Sequence, residues 1–68
     1  MRSVKIDTEY IKLDQLLKYE GLAGNGAEAK AFILKGMVKV NNEVELRRGR
    51  KLYKGDVVEY KGKEYTVA

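Results

Sequence analysis

The stretch from Lys12 to Asn42, KLDQLLKYEGLAGNGAEAKAFILKGMVKVNN, decides the fold because the spacing of its apolar residues changes twice. From Lys12 to Glu20 the period is helical, with Leu13, Leu16 and Leu17 on one face. Asp14 stands in the first turn, where the helix dipole favours an acid, and is spaced to pair with Lys18. Gly21 stops this helix, and GLAGNG (Gly21 to Gly26) is a loop. Asn25 is a good N-cap for a second helix, with Glu28 at the third helical position in a capping-box arrangement. That helix runs to about Lys35, turns Ala29, Phe32 and Ile33 inward, and ends at Gly36. Beyond Gly36 the period becomes two: Val38 and Val40 face one way, Met37 and Lys39 the other.

Working outward, the same alternation appears on both sides. Val4 and Ile6 predict a short strand over Ser3 to Asp7. After a turn at Asn41-Asn42, Val44 and Leu46 alternate with Glu43 and Glu45. Leu52 and Tyr53 are expected to pin the next segment to the body. Gly55-Asp56 is a further turn. Val57 to Tyr60 and Glu64 to Val67 read as a hairpin across Lys61-Gly62-Lys63. The expectation is an α+β domain spanning residues 1–68, with two helices packed on a small antiparallel sheet of about four strands. Leu16, Leu17 and Ile33 should be buried where the helices meet the sheet.

The chain has 68 residues, no Cys, no His and no Pro. Neither a disulfide nor a typical structural metal site can staple so small a fold, so packing alone must hold it. A hydrophobic fraction of 44% is ordinary for a globular chain. No apolar stretch follows Met1 and no run reaches the length of a membrane span, so a cytoplasmic protein with no membrane partner is expected. A monomer is the simplest state. Without His or Cys, with Ser3 as the only serine, and with carboxylates scattered singly, the sequence shows no clustered set of groups placed to transfer protons, attack carbonyls or bind metals. No enzyme activity, metal or cofactor is expected, and every acid reads as part of a solvated face.

Charge is more informative. The net charge is +4, from 14 basic and 10 acidic residues. Five of the basic residues (Arg47, Arg48, Arg50, Lys51 and Lys54) fall in one eight-residue stretch with no acid. Subtracting these five from the 14 leaves the rest of the chain nearly neutral. With no acid inside the run, self-neutralisation is not expected. Arginine outnumbers lysine there, and its guanidinium fork suits phosphate. The run reads as a polyanion site; the competing reading is a solvated loop. GLAGNG is neither a dinucleotide fingerprint nor a Walker loop. A GxxG loop between helices can clamp nucleotides, but Leu22 and Ala23 look like packing residues, which favours a tight helix connection.

These residues resemble a known family. Lys12-Leu13-Asp14, Leu16-Leu17, Ala29-Lys30, Ile33, Gly36-x-Val38-x-Val40-Asn41 and Gly55-Asp56-x-Val58 are similar to the S-four domain, also called the alpha-L motif. Its usual form has Arg-Leu-Asp, Ser-Arg-x-x-Ala, Ile-x-x-Gly-x-Val-x-Val-Asn-Gly and a late Gly-Asp. The resemblance covers about Lys12 to Tyr60. The segment from Arg47 to Asp56 looks like the short bacterial proteins built of this domain and little else. Lys12 replaces the family's first Arg, Asn25-Gly26 its Ser-Arg, and Asn41-Asn42 its Asn-Gly turn.

The resemblance implies an alpha-L fold that binds structured RNA, with ribosomal RNA and ribosome assembly first. Transfer RNA, or an acidic protein docked on the basic loop, remain the alternatives. The expected contacts are Lys12 at the start of the first helix, Lys30 on the outer side of the second, Lys39, and the run Arg47, Arg48, Arg50, Lys51 and Lys54. These would touch phosphate and read shape, because the A-form major groove is too deep and narrow for side chains. Asn41 and Asn42 are candidates for base contacts. Amide groups around Asn25 and Gly26, at the start of the second helix, could receive a phosphate.

Overall fold

The structure is a computed structural model describing residues 1–68. In chain order it comprises β1 (Arg2–Val4), β2 (Ile11–Lys12), α1 (Leu13–Tyr19), α2 (Gly26–Leu34), β3 (Val38–Val40), β4 (Glu43–Val44), β5 (Lys51–Leu52), β6 (Val57–Tyr60) and β7 (Lys63–Val67). Five strands form one sheet in the order β1-β7-β6-β3-β4, and β2 and β5 pair separately as a two-stranded ribbon. The α+β class stands. The sheet is mixed, however, because β1 runs parallel to β7. There are also more strands than alternation alone suggested.

Both helices form where the apolar period indicated, and both stop for the same reason. Gly21 and Gly36 adopt φ of +72° and +74°, a left-handed conformation that costs an L side chain energy. At Gly36 the chain reverses through paired bonds from Gly36 N–H to the Ile33 carbonyl and from Met37 N–H to the Phe32 carbonyl. Asn25 caps α2, its Oδ1 accepting from Glu28 N–H at 2.8 Å. Glu28 completes the start of α2 by accepting from Gly24 N–H, also at 2.8 Å. The Asp14–Lys18 pair does not form; Asp14 Oδ1 is buried without a hydrogen-bond donor.

Leu13, Leu16, Leu17, Ala29 and Ile33 from the helices join Val38, Val40, Leu52, Val58 and Val67 from the strands in one apolar cluster. Phe32 stacks on Tyr60 with ring centroids 5.4 Å apart, tying α2 to β6. Ala23 is buried and Leu22 packs against the cluster, so the GLAGNG loop is a packed helix connection.

One strand has the phase opposite to that expected. The turn between β3 and β4 has two residues, Asn41 and Asn42, both at positive φ (51° and 72°). Such a loop places Val40 opposite Glu43 and Lys39 opposite Val44. Opposed residues share a face. Val44 therefore lies with Lys39 on the outer side and is 52% exposed, and Leu46 is 55% exposed. Glu45, whose N–H bonds the Val38 carbonyl, falls on the inner side with Val38.

Candidate nucleic-acid interface

The basic run begins where β4 ends, and its shape is set by Glu45. This carboxylate is only 7% exposed and so cannot be a solvated acid. Its Oε2 accepts from Arg47 N–H at 3.1 Å and from Arg47 Nε at 3.0 Å. Its Oε1 accepts from Arg50 Nη1 at 2.7 Å. The Arg47 hydrogen bonds above all, with help from Arg50, hold the Glu45 pKa down to about 2 against the opposing effect of burial. The same carboxylate raises the Arg47 pKa. The expectation of no self-neutralisation is thus overturned for two of the five basic residues. The signal lay in turn length: a two-residue loop at Asn41-Asn42 puts Glu45 on the core side, where a carboxylate needs cations.

Past Arg47 the chain folds against the start of α1. Leu13 N–H donates to the Arg50 carbonyl at 2.9 Å and Asp14 N–H to the Arg48 carbonyl at 3.0 Å. The loop therefore caps α1 with main-chain oxygens, while Lys12 N–H is taken by Gln15 Oε1 at 3.1 Å. The next residues pair with β2: Ile11 opposes Leu52, and Lys12 opposes Lys51. Leu52 is fully buried and anchors the ribbon. Lys12 and Lys51 are exposed on its outer side. Three cations with no carboxylate partner, Lys12, Arg48 and Lys51, thus gather at one end of α1. A shallow groove lined by Arg47, Gly49, Arg50 and Lys51 adjoins them.

The remaining candidates divide. Lys30 is exposed on α2, on the outer side as expected, and Lys54 is exposed in the turn after β5. Arg50, an expected phosphate contact, has a side chain only 31% exposed, because it lies on Glu45. Lys39 faces outward from the five-stranded sheet, opposite Glu59 and Val44, and does not belong to the ribbon. Asn41 is spent within the protein: its Oδ1 accepts from Val57 N–H at 2.9 Å and its Nδ2 donates to Asp56 Oδ1 at 3.1 Å. A side-chain amide so engaged is not free to read a base; Asn42 has no such side-chain bonds. At the start of α2, Asn25 and Glu28 supply the caps, and the Glu28 carboxylate places negative charge where a phosphate was expected near Gly26.

Tyr10, outside the motif that begins at Lys12, extends the same ribbon. Tyr10-Ile11-Lys12 and Lys51-Leu52-Tyr53 each alternate about a buried or part-buried apolar residue, the pattern of a two-stranded ribbon. Tyr53 was expected to be a pin, but it stands on the outer side at 46% exposure.

Comparison with known proteins agrees with this geometry. A family model described as "S4 domain" matches residues 4–68, extending past the motif at both ends. The chain is 51% identical over 59 residues to a probable ribosome maturation protein, RlbA, of Bacillus subtilis (strain 168), covering 87% of this chain and 83% of the relative. It is 40% identical over 58 residues to the putative RNA-binding protein YbcJ of Escherichia coli (strain K12), covering 85% and 83% respectively. The solution structure of the E. coli YbcJ, described as revealing an alpha-L motif involved in RNA-binding, superposes with a TM-score of 0.74. That match is 35% identical and covers 100% of this chain and 87% of the other. The family match over residues 4–68, together with the shared fold, identifies the chain as a member of the S4-domain family.

Proposed function

We infer that this chain is a non-enzymatic RNA-binding protein whose ligand is a structured ribosomal RNA. The observation that carries the reading is the Lys12–Lys51 pair. Like charges directly opposed across two strands destabilise a ribbon. A polyanion lying over the pair converts that cost into binding energy. Arg48, held beside them through its carbonyl on α1, adds a third free cation. The names carried by the Bacillus and Escherichia relatives support RNA as the polyanion, and the Bacillus name supports the ribosome as its setting. Such a protein works in the cytoplasm, and the patch is complete within a single chain.

The test is a salt titration with a folded ribosomal RNA fragment. If four or five phosphates are neutralised, log K falls against log salt with a slope of about −3 to −4.5. Lys12→Gln, Arg48→Gln and Lys51→Gln should each flatten it by about one unit. A slope near zero, or retention only by an acidic protein, defeats the reading. Sequencing RNA crosslinked to the protein in cells then identifies the ligand; transfer RNA in that pool would redirect the reading away from the ribosome.

A further inference from the structure

The outer side of the β2–β5 ribbon holds more than cations. Continuing its register by one residue sets Tyr10 opposite Tyr53, and their ring centroids are 6.0 Å apart at an interplanar angle of 54°. Lys51 Nζ stands 4.8 Å from the Tyr10 ring centroid. Tyr10, Lys12, Lys51 and Tyr53 therefore share one face, while Ile11 and Leu52 pack against the core from the other. Two aromatic rings and two ammonium groups interleave on a rigid two-stranded scaffold. Tyr53 is held in place from behind, its N–H donating to Asp56 Oδ2 at 2.8 Å.

We propose that this face is a stacking platform for an unpaired nucleobase, with Tyr53 as the ring that receives it. The proposal rests on the RNA-binding reading and specifies the part of the RNA that docks. Inside a duplex both faces of a base are covered by its neighbours, so an exposed ring gains nothing there. A base in a bulge or loop has a free face, and stacking it on an aromatic ring is favourable whatever its identity. The Lys51 ammonium already occupies a cation–π position on Tyr10, which leaves the half-exposed Tyr53 ring as the open surface. Lys12 and Lys51, two residues along their strands from Tyr10 and Tyr53 and on the same face, are placed for the phosphates on either side of the stacked nucleotide. The face thus selects duplex RNA interrupted by unpaired nucleotides over continuous duplex.

Two probes test this: a blunt RNA duplex, and the same duplex carrying a bulge of unpaired purines. Wild type should prefer the bulged probe. Tyr53→Leu should weaken binding to the bulged probe by about 5- to 100-fold and leave the blunt duplex nearly unchanged. Tyr53→Phe, which keeps the ring, should retain the preference. Independently of any variant, a bulged probe in which one unpaired purine is replaced by photoreactive 5-iodouridine should crosslink to the peptide containing Tyr53 or Tyr10. Equal binding of both probes by wild type, equal losses on both in Tyr53→Leu, or a crosslink elsewhere overturns the platform while leaving RNA binding intact. Failure of wild type to bind either probe overturns both together.

Discussion

At the residue scale, Glu45 matters most. It is an acid on the core side of a strand end, and its two arginines turn a burial penalty into a clasp that shapes the basic loop. Because folding lowers its pKa from 4.5 to about 2, the folded state binds this proton less readily than the unfolded chain. Its contribution to stability is therefore complete above about pH 4.5 and is lost as the pH falls through about 2. Other carboxylates titrate in the same window, so the informative quantity is a difference. The gap in Tm between wild type and Glu45→Gln should be widest at pH 5–6 and should shrink as the pH approaches 2. A gap independent of pH would show that the carboxylate's charge contributes nothing. Glu45→Gln should also weaken RNA binding despite raising the net charge, because the loop loses its fixed shape. Binding strengthened by the added charge would show that loop shape is unimportant.

At the element scale, the β3–β4 hairpin shows how local chemistry sets the position of the site. Both turn residues are left-handed, which glycine tolerates best and asparagine next best. The two asparagines nevertheless have different duties. Asn42→Gly should leave stability unchanged or raise it by up to about 1 kcal/mol. Asn41→Gly removes the bonds to Val57 and Asp56 and should cost about 0.5–2 kcal/mol in urea unfolding. Equal effects at the two positions would show that the amide bonds do not matter. The inverted phase of β4 has its own consequence. Val44→Thr, on the outer side, should change stability by no more than about 0.5 kcal/mol. Val38→Ala, fully buried in the neighbouring strand, should cost about 2 kcal/mol or more. The residue types around Val44 and Glu45 alternate correctly for a strand; only the length of the preceding turn shows which set goes inward.

For the whole molecule, 14 buried apolar residues form the core, with no disulfide to support it. Stability in so small a domain is a narrow balance, so one buried leucine is a large fraction of it. Leu16→Ala should cost about 2–5 kcal/mol and lower Tm markedly, with proportionate loss of RNA binding at the growth temperature. An unchanged Tm would contradict the placement of α1. Arg48→Gln should be the converse, changing affinity and salt slope while leaving Tm alone, since that side chain is exposed and only its carbonyl serves the fold. Arg50 is not suited to this experiment, because its guanidinium lies on Glu45 and a substitution there disturbs both fold and charge.

The two helices, their stops at Gly21 and Gly36, the Asn25 cap, and the buried set of Leu16, Leu17 and Ile33 were all legible in the sequence. Each depends on residues within a few positions of one another, where spacing and backbone preference act directly. The motif's spaced residues likewise carried the family. Tertiary structure alone decided that Lys51 pairs with Lys12, that Tyr10 meets Tyr53, and that Glu45 divides the basic run into clasped and free cations. Strand pairing brings together residues from distant parts of the chain, and neither strand's own pattern names its partner. Charge in the run could be counted from the residues, but whether a cation is free depends on which acid the fold turns toward it.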